Sequence, residues 1–227
     1  MFGKWWWKFL GVAIMLYAIT KGLTSNIPDV SIVEQSIRNL YYHVPMWFVM
    51  IIFMFISSVY SILYLRNEKL TNDRKAQAFT EIGILLGICG SITGAIWARA
   101  TWGSFWPNDP KLNGVAVGML IYFSLLVLRG AITDERQRAK IGGIYNIFVF
   151  PIFLAFIYVM PKLVDVSLHP GSGDTVQFTM YNNSLNADMR MVFYPAIIGW
   201  GLLFLWVVNL RYRVLTIIGR KQEQLLK

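Results

Sequence analysis

Cysteine is almost absent: Cys89 is the single thiol in 227 residues, and it lies inside an apolar run. One thiol excludes a disulfide framework and a cysteine-based metal cluster, and with no C-x-x-C-H run the chain cannot attach haem covalently. Charge is also scarce, at 15% of residues against about 25% in an average soluble domain. Histidine occurs twice, at His43 and His169. No glycine-rich loop follows a strand pattern, which argues against a nucleotide site. The acids Asp29, Glu34, Asp109, Asp165, Asp174 and Asp188 are scattered without paired-carboxylate spacing. The centres of the long apolar runs hold almost no ionisable residue, whereas a proton pump or ion-coupled transporter needs one there. These absences favour a protein that is not an enzyme.

What the chain has is hydrophobicity. Apolar residues make up 56% of it and its mean hydropathy is +0.50. They come in runs of roughly 17–22 residues, the length that crosses a bilayer core as a helix. The reading is an all-α integral membrane protein, with residues 1–227 forming a single six-helix membrane domain. The predicted spans are an uncleaved first segment at 9–19, then 43–65, 78–97, 112–128, 142–160 and 191–210. Residues 24–42 are more polar, with Val30, Val33, Ile37, Leu40 and Tyr41 at helical spacing, which predicts an amphipathic helix lying on the membrane surface. Gly83, Gly87, Gly90 and Gly94 share one face of the third span, a seam for close helix packing. Residues 162–190 form the longest loop. Alternation of Val176, Phe178 and Met180 with polar residues suggests a short strand within it.

Six spans put both termini on one side. Fifteen of the 21 Lys and Arg fall on that side, among them Lys4, Lys8, Arg66, Arg129, Arg138, Arg211 and Lys221. The positive-inside rule then places the termini in the cytoplasm. The same asymmetry accounts for the net charge of +9 without invoking nucleic acid. Both histidines, and the turn between the third and fourth spans, face the outside.

That turn, residues 97–112, is the densest feature of the chain. It carries Trp97, Arg99, Trp102, Gly103, Phe105, Trp106, Asp109 and Lys111. Aromatic residues at a membrane surface are ordinarily a headgroup belt. A cluster in a polar turn beside Arg99 also suits a flat, amphipathic ligand such as haem: rings stack on its body and cations pair with its carboxylates. Imidazole is a common axial ligand of haem iron. His43 and His169, each individually compatible with an ordinary interface histidine, lie at one membrane depth and could approach one iron from opposite faces. Arg38, just upstream of His43, is a second candidate for a propionate. A small-molecule permease and a membrane b-type electron-transfer cytochrome remain as alternatives. The first lacks polar span centres, and the second lacks histidine pairs within the spans.

The stretch from Thr93-Gly94-Ala95-Ile96-Trp97 through Trp102-Gly103-Ser104-Phe105-Trp106 to Asp109-Pro110-Lys111-Leu112 resembles the tryptophan-rich WWD motif of the CcmC/CcmF/CcsA cytochrome c biogenesis family. Tyr42-His43-Val44-Pro45 and Ser167-Leu168-His169 resemble the two histidine signatures of its CcmC branch. Phe105 and Asn108 stand where the motif often has Trp, and Pro110-Lys111 is closer to the CcsA version. The resemblance implies a haem-handling subunit in the bacterial inner membrane, holding haem b transiently and non-covalently. It implies His43 and His169 as iron ligands, with Trp102, Gly103, Trp106 and Asp109 forming a platform and Arg38 or Arg99 on a propionate. It further implies ABC-transporter subunits CcmA and CcmB and the small CcmD as partners, and CcmE as the periplasmic chaperone that receives the haem.

Overall fold

The computed structural model describes residues 5–27, 34–163, 167–169 and 185–225. Among them there is no strand, and most of them lie in six long helices: α1 (Trp6–Thr24), α2 (Leu40–Asn67), α3 (Leu70–Trp102), α4 (Pro110–Ala131), α5 (Glu135–Leu154) and α6 (Ala187–Leu225). Five of these regions are long and apolar enough to cross a membrane on length and composition alone. The remaining long helix, α1, runs antiparallel to α6 and packs along it. Lys8 lies over the Trp206 ring at 5.0 Å, Gly11 packs on Leu202 and Met15 on Gly199, and the Tyr17 hydroxyl donates to the Met191 carbonyl at 3.2 Å. The chain is a multi-pass membrane protein whose described ends lie on one side.

At the centre is α2, packed against α3, α5 and α6. On the flanks, α1 leans on α6 and α4 on α5. The main core runs through the middle of the bundle and includes Met50, Met54, Phe79, Leu86, Tyr122, Phe153 and Val208. Asn146 bonds Ser57 and Ser61 at 2.8 and 2.9 Å, satisfying buried hydroxyls between α2 and α5 that lipid could not. The glycine face of α3 is a seam, as expected, but it receives side chains rather than a facing backbone. A Cβ at Gly83 would meet Met54, at Gly90 Trp47 and at Gly94 His43.

Three sequence expectations change. The predicted surface helix at 24–42 is no independent element in the described residues. There α1 ends at Thr24, a 3₁₀ turn spans Glu34–Asn39, and α2 follows directly. Ile37, Leu40 and Tyr41 do lie on one side, but they bury it against Leu185, Met189, Val192 and Phe193 instead of lipid. Secondly, the helices outrun the apolar spans: α3 begins at Leu70 and, at 33 residues, is about 50 Å long. Its first turns are charged because the charges pair. Arg129 makes a bidentate bridge to Asp73 at 2.8 Å for each bond, Arg74 meets Glu135 at 3.1 Å, and Arg211 bonds Glu81. Asp134, expected on a solvated face, caps α5 by accepting from the Gln137 N–H at 2.7 Å. Thirdly, Trp97 and Trp102 belong to the last turns of α3, so the non-helical part of the aromatic turn shrinks to residues 103–109. The predicted strand at 175–180 lies outside the described residues.

Candidate functional site

The start of α2, the end of α3, the start of α4 and residues 167–169 converge at the end of the bundle opposite the termini. Gly103 stops α3. Its φ of +77° is the left-handed conformation that glycine adopts without strain, and its N–H returns to the Arg99 carbonyl at 3.2 Å. Residues 104–106 then leave the helix exposed, with the Phe105 and Trp106 rings turned outward. Asp109 starts α4 as its N-cap, accepting from the Lys111 and Leu112 N–H groups at 2.9 and 3.2 Å, and Pro110 fills the first helical position.

His43 is set in the first turn of α2. Its Nδ1 lies 2.9 Å from the Gly90 carbonyl and 3.3 Å from the Thr93 hydroxyl. A carbonyl can only accept, so Nδ1 carries the proton and Nε2 keeps its lone pair. The ring is edge-on to Trp97 and Trp47, with centroids 5.9 and 6.3 Å away.

His169 is oriented by a carboxylate. Its Nδ1 lies 3.1 Å from Asp109 Oδ1, and Nε2 has no partner among the described residues. The other Asp109 oxygen accepts from the Ser167 hydroxyl at 2.8 Å and the Leu168 N–H at 2.7 Å. Burial alone would raise the Asp109 carboxyl, but the hydrogen bonds from His169, Ser167 and Leu168 reverse this and hold it well below the usual carboxylate range. Burial lowers the His169 imidazole below its ordinary value, against the opposing pull of Asp109. The Trp102 ring lies 5.0 Å from it.

The other expected residues are placed as follows. Asp109, read as part of an exposed platform, is 1% exposed and holds the 167–169 segment and the start of α4. Trp106 donates from Nε1 to Asn113 at 3.3 Å. Arg99 folds back onto the Gly103 carbonyl and sits 5.8 Å from the Phe105 ring. Arg38 ties the end of α1 to the 3₁₀ turn, donating to the Gly22 and Ser25 carbonyls at 3.0 and 2.9 Å and to Gln35 at 3.0 Å. It also borders a groove of about 280 Å³ lined by Ser36, Asn39, Tyr42, Ile96 and Trp97, beside His43.

A cation missed in the sequence is Lys111. It lies within electrostatic reach of both imidazoles and of Asp109, and His169 lies within reach of His43. One local signal pointed to it. Lys111 is the second helical residue of α4, where the helix dipole disfavours a positive charge, so a lysine there needs another reason. Among the described residues no group of three or more His, Cys, Asp or Glu could hold a bare metal ion. The arrangement offers two imidazole nitrogens, aromatic edges and one central cation, a donor set for a large planar metal complex.

The family model described as "Heme exporter protein C" matches residues 2–227. The chain belongs to that family. It is 28% identical over 137 residues to the "Heme exporter protein C" of Haemophilus influenzae, covering 60% of this chain and 54% of that protein. Against the Paracoccus denitrificans protein of the same name, identity is 24% over 178 residues, covering 78% and 72%. A Prochlorococcus marinus "Cytochrome c biogenesis protein CcsA" is 30% identical over 114 residues, half of this chain and 34% of that protein. The chain thus spans between about a third and three quarters of the length of these relatives.

Proposed function

We propose that this haem exporter protein C family member handles haem as cargo during cytochrome c maturation. His43 and His169 ligate the iron through Nε2 from opposite faces. Trp97 and Trp102 line the porphyrin, and Lys111 pairs with a propionate, the part that sequence reasoning gave to Arg38 or Arg99. Trp106 and Phe105 stand at the exposed rim, where a soluble acceptor can reach the haem edge. The observation that carries the reading is the matched state of the two histidines. Each has Nδ1 committed to an acceptor that fixes the tautomer, and each keeps Nε2 for a metal.

The site lies on the outer face of a bacterial inner membrane, with both termini cytoplasmic. It binds haem b non-covalently and passes it to the periplasmic chaperone CcmE. CcmA and CcmB supply ATP-driven work alongside CcmD, since no nucleotide motif is found in this chain.

The purified protein tests this directly. Its haem absorption should indicate two nitrogen ligands, and His43→Ala and His169→Ala should each alter it. Unchanged spectra in both variants would remove the ligand assignment. Alanine at both Trp102 and Trp106 should leave the fold intact and halt transfer to CcmE, so normal cytochrome c maturation in that double variant speaks against the platform.

A further inference from the structure

We propose that the two histidines hold the cargo by unequal means: His43 is the fixed ligand, and His169 is a detachable one whose position depends on a single buried carboxylate, Asp109. The proposal rests on the haem reading above and concerns the order in which its ligands let go.

The asymmetry lies in what each imidazole is built on. His43 belongs to a 28-residue helix at the centre of the bundle. Its ring is caged by a neighbouring helix: Nδ1 donates to the main-chain carbonyl of Gly90, and the ring lies so close to Gly94 that an added Cβ would be 2.6 Å from Cε1. Trp47 and Trp97 close the cage on either side. The ring is thus held against α3, which bars any movement towards that helix.

His169 belongs to no helix. Among the described residues, the hydrogen bonds from 167–169 to the rest of the chain all end on Asp109: from the Ser167 hydroxyl, the Leu168 N–H and His169 Nδ1. Leu168 points outward and is exposed. The same carboxylate caps α4. Apart from the Trp102 ring packed 5.0 Å away, Asp109 is therefore the positioning residue that aligns this ligand. It also raises the electron-donating power of His169 by accepting a hydrogen bond from its Nδ1–H, an effect that a main-chain carbonyl exerts more weakly on His43. Hand-over needs one coordination position to open while the other still holds the iron. The tethered side can open without disturbing the helix bundle.

The test compares Asp109→Asn, His169→Ala and His43→Ala in the purified full chain loaded with haem. Asparagine caps a helix as well as aspartate, so α4 keeps its start. With its single oxygen in the capping position, which also faces His169 Nδ1, its NH2 replaces the oxygen that accepted from Ser167 and Leu168, so the tether that holds the 167–169 segment is lost. Asp109→Asn should convert the six-coordinate spectrum to that of His169→Ala and shift the haem reduction potential upward. Added imidazole should restore six-coordination in both. His43→Ala should lose haem at least tenfold more readily than His169→Ala. A six-coordinate spectrum and potential unchanged in Asp109→Asn, while both histidine variants change, overturns this proposal and leaves the haem reading standing. Equal haem loss from the two histidine variants overturns it too. Unchanged spectra in both histidine variants overturn the haem reading and this proposal with it. Should Asp109→Asn fail to fold, Ser167→Ala removes one bond to the same carboxylate and should shift the potential and the ligand spectrum partway in the same direction; no shift overturns the proposal.

Discussion

Gly94 provides a test of the site that leaves every ligand and aromatic ring in place. Alanine there adds one methyl group on the face of α3 that meets His43, 2.6 Å from Cε1 and 3.2 Å from Nδ1. Ordinary carbon contacts need about 3.5–4.0 Å, so the imidazole must retreat by roughly 1 Å. The His43 Nδ1 to Gly90 carbonyl bond, now 2.9 Å, would then stretch past hydrogen-bonding distance. Overpacking of this kind costs about 1–3 kcal/mol, and the lost hydrogen bond adds about 1 kcal/mol. Under the proposed ligation of the haem iron by His43, such a retreat should lower haem affinity as well as stability. Gly83→Ala is the control. Its methyl would meet Met54 Cε at 2.8 Å, the far end of a flexible side chain that can swing aside, well away from the site. Haem titration of the detergent-purified variants should give a clear fall in affinity and an altered spectrum for Gly94→Ala and wild-type values for Gly83→Ala. Wild-type haem binding by Gly94→Ala would refute the argument that α3 sets the position of His43.

Other perturbations follow from the same geometry. Asp73→Ala leaves the buried Arg129 guanidinium without its carboxylate and should destabilise the bundle by about 3–5 kcal/mol, read as a lowered thermal midpoint in detergent. Gly103→Ala forces a side chain into the left-handed region at the end of α3 and should cost about 1–2 kcal/mol, with partial loss of haem because the aromatic turn leaves the helix there. The Asp109 carboxyl is held below its unfolded value, so its contribution is complete above about pH 4–5 and lost as pH falls through the lowered folded value. The stability gap between wild type and Asp109→Asn should therefore be flat from pH 8 to about pH 5 and close only at lower pH. A gap that closes near pH 6.5 would assign the linkage to His169 instead.

The bundle was legible because lipid imposes one rule on every span: backbone groups must be satisfied within the helix, so a long apolar run is a helix. The rule weakens where charge begins, and the sequence reading cut α3 short at residue 78. Asn72, Asp73, Arg74 and Gln77 look like loop residues when each is read alone. In the helix, Asp73 and Gln77 pair with Arg129 from α4, Arg74 with Glu135 from α5 and Asn72 with Asn67 at the end of α2, pairings that no local pattern displays. The 24–42 segment misled for the converse reason. Its apolar residues do recur at helical spacing, but that periodicity says only that one side is covered. For Ile37, Leu40 and Tyr41 the cover is Leu185 and the start of α6; Val30 and Val33 lie outside the described residues.

The site shows the same division between residue type and direction. Aromatic density and two histidines singled out one end of the molecule, where the fold does bring these residues together, since both signals depend only on which residues occur where. Direction could not be read that way. Arg38 and Arg99 were the natural cations for a carboxylate ligand, yet the guanidinium of each is turned onto main-chain carbonyls, where it secures α1 and the aromatic turn. Lys111 was passed over although its position was anomalous, a cation at the positive end of a helix dipole. Asp109 accounts for its placement. A single carboxylate caps the helix, aligns His169 and offsets the lysine charge, so three functions converge on the Asp-Pro-Lys step that begins α4. Exchanging Lys111 for Gln should therefore leave the fold unchanged, because the carboxylate keeps its hydrogen bonds, and should weaken binding of a dicarboxylate porphyrin more than that of its dimethyl ester. Equal weakening for acid and ester would mean that Lys111 acts through the protein and not on the ligand.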